Sequence, residues 1–490
     1  MARITRIPSF AFVSMTPQCV ARWSGTSCRQ LTSPMLASIS RIALQALTSN
    51  CLNDMADLVF AESTAALIAA LPTSACSGMR SQQLANMHPP AANGFTTECI
   101  AQFTWSACSR FVAPVVQNLS PRGVAGLTSR CIFDAPPTAF STLPGEVFAS
   151  LDPVACQGFR REHVSNFPVM AALHLSPQCV GNFSGGGLNS ACSGLTTDFV
   201  ALLTPSAMSG VGTNCMWSVP AEIFAALSPQ QYAAFSPQGC AGLSAYQASF
   251  FPLPAAAALT GKCINAFGFG SVNVCGGLRA DFLREIPPEK FRSFTPGCMG
   301  SLPSNSLQLL TSEHLRNFNP AGCGNFRLPH VRSFPPAAAS GLTAECLRSF
   351  STGFWGACVG LSQSFVGNMS ATTFSALNAT CISDTRRETF GTINGAQIRQ
   401  LPPQEFAGFD VLHMLEMRDS VQFAMSVGQV QHLTPRGFSG FRPVSLAALI
   451  NRNGLPVVNL LTAPQTALYP PEFVFGRCNF SRQTFLTNFT

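Results

Sequence analysis

Residues 228–235 read Ser228-Pro229-Gln230-Gln231-Tyr232-Ala233-Ala234-Phe235, and residues 287–294 read Pro287-Pro288-Glu289-Lys290-Phe291-Arg292-Ser293-Phe294. Ser or Thr in the first position can cap a helix, and Pro at the first helical position loses no hydrogen bond that it would have made. Gln or Glu follows in the first turn, and the apolar residues at positions five and eight have the i, i+3 spacing of one helical face. Each octad therefore reads as about one and a half turns of helix, followed at once by the next cap. Turns this short are unstable alone and must be held by stacking.

The octad governs most of the chain. From Met15 to Phe183 every eighth residue is apolar except Ser63. The frame slips by four at Ser184–Leu195, runs to Phe267, and slips by three at Gly268–Leu278. It runs again to Phe350, slips by three, and continues from Leu361 to Leu449 with only Thr385 polar. The slips coincide with the Gly-bearing stretches Ser184-Gly185-Gly186-Gly187, Gly268-Phe269-Gly270 and Ser351-Thr352-Gly353.

A longer rhythm lies over the octads. Of the 20 cysteines, those from Cys19 to Cys99 follow intervals of 9, 23, 25 and 23, and the set recurs as far as Cys381 with 9, 13, 12 and 12 as its first interval. A step of three octads dominates, which predicts coils of about 24 residues, and the cysteine pattern as a whole repeats every ten octads. The expected fold is mainly α, an elongated solenoid of octapeptide repeats over residues 1–449, with an atypical C-terminal cap at 450–490. Super-repeats of 80–84 residues fall near 19–98, 99–178, 179–262, 263–345 and 346–425. The cap is placed where the frame falters at Ile450–Leu461 and Pro470-Pro471 introduce a break.

Cysteines alternate between octad positions four and five. Joining each position-five cysteine to the next position-four cysteine gives the pairs Cys28–Cys51, Cys76–Cys99, Cys108–Cys131, Cys156–Cys179, Cys192–Cys215, Cys240–Cys263, Cys275–Cys298, Cys323–Cys346 and Cys358–Cys381, all 23 apart. A rival scheme uses the 25-residue spacings and the short gaps. The chain favours the first: continuing the ladder reaches Phe406 and Gln429, so both members of one pair are missing together while Cys381 keeps its partner. Cys19 is left without a partner in the ladder, and Cys478 lies far from it. The frame runs back through Ile7 with no continuous apolar leader, so the chain is expected to begin inside a longer protein. The competing reading is an intracellular protein whose regularly placed thiols are small core residues.

Composition narrows the function classes. Charged residues make up 10%, hydrophobic residues 47%, and the mean hydropathy is +0.24, so the chain can bury a long core. Pro, Ser, Thr and Gly punctuate every octad, so no run is long enough for a transmembrane helix. A net charge of +7 is spread thinly, without the basic stripe of a nucleic-acid partner. Asn118, Asn182, Asn368, Asn378, Asn479 and Asn488 begin N-x-Ser/Thr sequons, which are compatible with secretion. No catalytic, cofactor or metal motif occurs: His88, His163, His174, His314, His330, His413 and His432 are scattered, and no C-x-x-C pair exists. Four of these histidines occupy octad position four, which predicts partly buried or groove-facing side chains. The clusters Arg279–Glu285 and Arg160-Arg161-Glu162 read as solvated faces.

Leu433-Thr434-Pro435-Arg436 resembles the Leu-Thr-x-x-Gln-like octads of long bacterial repeat proteins. It also resembles the Leu-Thr-Pro opening of the DNA-reading effector repeat. That repeat is much longer and carries paired base-reading positions that this chain lacks, so its function is not carried over. The run Leu401–Phe409 looks like the convex side of leucine-rich repeats, yet the Leu-x-Leu-x-x-Asn strand signature is missing throughout. The expected role is a non-enzymatic structural, adhesion or ligand-display protein outside the cell or on its surface, binding a protein or glycan along one solenoid face. The alternative is an intracellular interaction scaffold with reduced thiols.

Overall fold

The computed structural model describes residues 7–183, 190–268, 273–453 and 465. Among them the protein is mainly helical, without a β-strand, and the helices before residue 443 are three to six residues long. The local cause is repeated at octad after octad. Thr48 accepts a hydrogen bond from the Cys51 N–H and Ser228 from the Gln231 N–H, while Pro121, Pro177, Pro205, Pro229 and Pro237 each start a helix behind a Ser or Thr cap. Such caps satisfy the otherwise orphaned first-turn donors.

Each octad closes its helix with the N–H of its eighth residue. The Leu127 N–H bonds the Val124 carbonyl and the Phe95 N–H bonds the Ala92 carbonyl, and the next cap is extended, as at Thr128 with φ −90° and ψ 158°. These corners need no left-handed residue. The one positive φ among the described residues is at Gly353, 94°, inside the third frame slip.

Two compact units divide the chain, Met1–Leu243 and Ser244–Thr490. Within each, an octad packs on the octad three steps away: Ser49–Asp54 on Thr73–Gly78 in the first unit, Ser312–Arg316 on Pro336–Gly341 in the second. Three octads therefore form one coil. The frame slips leave this register intact, since Arg161–Val164 packs on Ala191–Gly194 and Leu328–Arg332 on Cys358–Gly360. An inserted segment lengthens one coil without changing which octads meet.

Positions four, five and eight point inward. Cys131, Ile132 and Ala135 show this in the first unit, and Gln397, Ile398 and Leu401 in the second, all nearly without exposure. The resulting core is rich in edge-to-face phenylalanines, such as Phe159 with Phe167 at 4.9 Å between ring centres. Neighbouring coils approach closely where position seven is glycine. A Cβ at Gly341 would strike the Ser312 carbonyl oxygen one coil back, and Gly78 stands in the same relation to Ser49.

Disulfides join successive coils. In the first unit Cys28–Cys51, Cys76–Cys99, Cys108–Cys131, Cys156–Cys179 and Cys192–Cys215 are bridged, and in the second Cys275–Cys298, Cys323–Cys346 and Cys358–Cys381. Cys240 and Cys263 are also disulfide-bonded. Cα–Cα distances of 5.0–5.3 Å fit the bond. Each closes a 23-residue separation, and on the chain-entropy account each contributes on the order of 3 kcal/mol.

The octad frame ends in a helix of different length, Pro443–Asn453, with 11 residues. Beyond it the expected cap lies outside the described residues except for Gln465, whose carboxamide donates to the Val430 and Leu433 carbonyls.

Because the obstacle at Gly341 is backbone, Gly341→Ala should lower stability by about 1–3 kcal/mol, the usual cost of overpacking. A chemical-denaturation midpoint equal to that of the unaltered protein would show that the coils can separate freely there.

Candidate interaction surface

Polar residues at position four do a job that periodicity does not reveal. Gln83 accepts the Arg80 N–H at 2.9 Å through Oε1 and donates through Nε2 to the Leu52 and Met55 carbonyls. Gln231 joins the Ser228 N–H to the Val200 and Leu203 carbonyls, and Gln397 joins the Asn394 N–H to those of Val366 and Met369. One carboxamide thus caps its own helix and satisfies helix-end carbonyls 28 and 31 residues earlier. Thr373, Thr389 and Lys290 also donate to carbonyls of an earlier coil.

Gln429 stands where the cysteine ladder lapses. It takes the Ser426 N–H and donates to the Ile398 and Leu401 carbonyls, both at 2.8 Å, while Phe406 is wholly buried. A polar clasp occupies the place of a covalent one.

Four histidines share the position. Nδ1 of His163 accepts the Arg160 N–H at 3.1 Å, and Nε2 meets the Ala135 carbonyl at 3.0 Å. His314, His330 and His413 repeat the arrangement with the Ile286, Leu302 and Thr385 carbonyls. Accepting a backbone N–H at Nδ1 puts the proton on Nε2, so the imidazoles of His163, His314 and His330 are assigned as the neutral Nε2–H tautomer. Their burial is deeper than the sequence suggests: His163 has 0% exposure, because position four faces the core rather than a groove. Burial pushes the pKa of His163, His314 and His330 down, partly offset by the carbonyl that each contacts.

The charged clusters divide. Arg279–Asp281 and Arg284–Glu285 are exposed ion pairs, worth little to stability. Arg160 instead occupies a cap position, and its guanidinium lies 4.9 Å from the centre of the Phe133 ring. Among the described residues no cluster of three or more His, Cys, Asp or Glu could hold a metal, and no helix is long and apolar enough to cross a membrane. Cys19 is exposed and free, whereas Cys478, Asn479 and Asn488 lie outside the described residues.

A surface feature stands out at the third frame slip. Phe354 and Trp355 are 81% and 67% exposed, with ring centres 5.2 Å apart, edge to face. The segment that carries them is firmly tied. Ser351 Oγ donates to the Phe326 carbonyl, the Gly353 N–H donates to Asp384, and the Trp355 carbonyl accepts the Leu328 N–H. Its end meets Arg327 in an isolated antiparallel bridge to Gly356. A neighbouring open groove of about 460 Å³ is lined by Gly297, Gly300, Ser301, Asn325, Arg327 and Ser351. Glycines keep its floor low, and arginine, asparagine and serine supply polar contacts.

No protein family matches the chain, and no curated protein matches it significantly. A structural comparison finds similarity to a chain in a homology model of the full-length AP-3 complex in an intermediate open conformation, at 10% identity and a TM-score of 0.20, covering 98% of this chain and 82% of that one. A TM-score that low carries no argument for either fold or partner.

Replacing Gln397 with Leu keeps the apolar volume but leaves the Val366 and Met369 carbonyls and the Asn394 N–H without their partner. A loss of about 1–3 kcal/mol in denaturation experiments is expected. Unchanged stability would mean that water serves those groups equally well.

Proposed function

We propose that this chain is a non-enzymatic structural, adhesion or ligand-display protein of the extracellular space or cell surface. The disulfide ladder carries that reading. Bridges at regular intervals through both compact units suit an oxidising compartment, where disulfides form and persist. Stacked short turns with covalent rungs suit a scaffold that resists proteolysis, and solvent-facing octad positions are free of core duty.

Ligand contact is assigned to the coil edge bearing Phe354 and Trp355, together with the adjoining groove. Exposed aromatic side chains on a well-tied segment offer large contact area at low entropic cost, and a polar groove beside them suits a glycan or a protein loop. The proposed partner class is therefore a protein or glycan, engaged without cofactor or metal.

Two measurements test this reading. Non-reducing peptide mass spectrometry on protein from its native source should find Cys28 linked to Cys51 and Cys76 to Cys99. Free thiols throughout would overturn the extracellular assignment in favour of an intracellular scaffold, and a Cys51–Cys76 link would overturn the pairing. For the surface, Phe354→Ser with Trp355→Ser should change stability by no more than about 0.5 kcal/mol, since both side chains are exposed. The same variant should bind several-fold less to cells of the native source. Undiminished binding would remove the aromatic pair from the contact surface.

A further inference from the structure

We propose that His163 and His330 are acid-releasable fasteners, one in each compact unit, which loosen their coils when the surroundings acidify while the disulfides remain intact. Both ring nitrogens of each are committed to backbone groups. Nδ1 accepts the N–H of the helix cap, from Arg160 at 3.1 Å and Arg327 at 3.0 Å. Nε2 donates to a carbonyl 28 residues earlier, Ala135 at 3.0 Å and Leu302 at 2.9 Å. A second proton can only be added at Nδ1, where it would meet the cap N–H rather than an acceptor. Protonation therefore breaks the cap bond and leaves a charge in the core.

Their surroundings give an imidazolium little relief. Around His330 the charges on its own turn are Arg327 and Arg332, both positive, and Ser304–Leu307, Cys358–Gly360 and Pro296–Ser301, packed against that coil, carry none. Around His163 the own-turn charges are Arg160, Arg161 and the exposed Glu162. The earlier helix Ser129–Asp134 contributes Arg130 and Asp134, paired with each other, and Ala191–Gly194 none. The other two histidines differ. Thr311 Oγ1 lies 2.8 Å from Nδ1 of His314, an acceptor for an added proton, and Asp410 Oδ1 lies 3.0 Å from Nδ1 of His413.

The molecule contains its own acid-insensitive counterpart. Residues 83, 163, 247, 330 and 413 are equivalent in successive super-repeats and read Gln83, His163, Gln247, His330 and His413. Gln83 makes the same cap and cross-coil contacts with a carboxamide that does not titrate. The histidines also sit where inserted segments rejoin the frame: the two isolated bridges are Arg160 with Ser190 and Arg327 with Gly356. Releasing the cap of Leu328–Arg332 would loosen the anchorage of the segment carrying Phe354 and Trp355.

The direction follows from the lowered folded-state pKa of both residues. Their contribution is complete above the ordinary histidine value of about 6.5 and is lost as pH falls below it through the folded-state value.

Hydrogen–deuterium exchange on the intact, oxidised chain, corrected for intrinsic exchange, tests the proposal at about pH 7.5 and about pH 5. Amides at 160–167 and 327–334 should keep their protection down to about pH 6.5 and below it lose protection on the order of tenfold per pH unit. The double variant His163→Gln/His330→Gln should keep it, as should the Gln231 coil of the unaltered chain. Undiminished protection at the lower pH overturns the proposal, and so does equal loss in the double variant. Should the variant not fold, an NMR titration of the unaltered protein decides: both imidazoles must hold the Nε2–H tautomer to below the usual histidine range, and titration at the ordinary value overturns the device.

Discussion

A helix of about five residues has more unsatisfied backbone groups than internal hydrogen bonds, and everything else in this structure follows from that constraint. Side-chain caps answer the donors at one end within the octad itself. The carbonyls at the other end have no local answer, and the residue at position four of a later coil supplies it. Gln, His, Thr and Lys reach back to those carbonyls, and Cys at the same position forms a covalent link instead. Position four is thus the fastening position, and its chemistry decides whether a coil is held by a bond, a neutral clasp or a titratable one.

The disulfide ladder and the coil have different periods. Three octads close a coil, but the cysteine pattern repeats after ten, one octad more than three full coils. Each super-repeat therefore moves its pair of bridges to the next side. In the first unit Cys28–Cys51 and Cys76–Cys99 lie on one side, Cys108–Cys131 and Cys156–Cys179 on the next, and Cys192–Cys215 on the third. Within that unit the covalent rungs are thus spread over three sides rather than confined to one.

The core takes positions four, five and eight, and glycine at position seven serves the close approach of some coils, so the remaining solvent-facing positions vary at little cost to the stack. Frame slips are absorbed in the same way, since an insertion at a corner leaves the octads three apart in contact. The segment around Phe354 and Trp355 shows the consequence: an exposed aromatic pair held by Ser351, Asp384 and Leu328, attached to a framework that it does not disturb. Such an arrangement lets surface chemistry differ from coil to coil while the fold is kept.

The sequence by itself determined the octad, the helical character of each unit and the coil of three octads. Capping residues and the i, i+3 apolar pair are local signals, and an eightfold periodicity repeated this often leaves one way to bury position eight. The cysteine spacing was equally legible, since a 23-residue separation brings position five of one coil against position four of the next. Only the tertiary structure decided what position four does. The position-four histidines read as partly buried or groove-facing and the glutamines there carried no signal, because their partners are carbonyls 28 and 31 residues away, which no local pattern marks. The aromatic surface was hidden for a related reason: Phe354 and Trp355 lie in a frame slip, where the octad assigns no position, and only the fold shows them exposed.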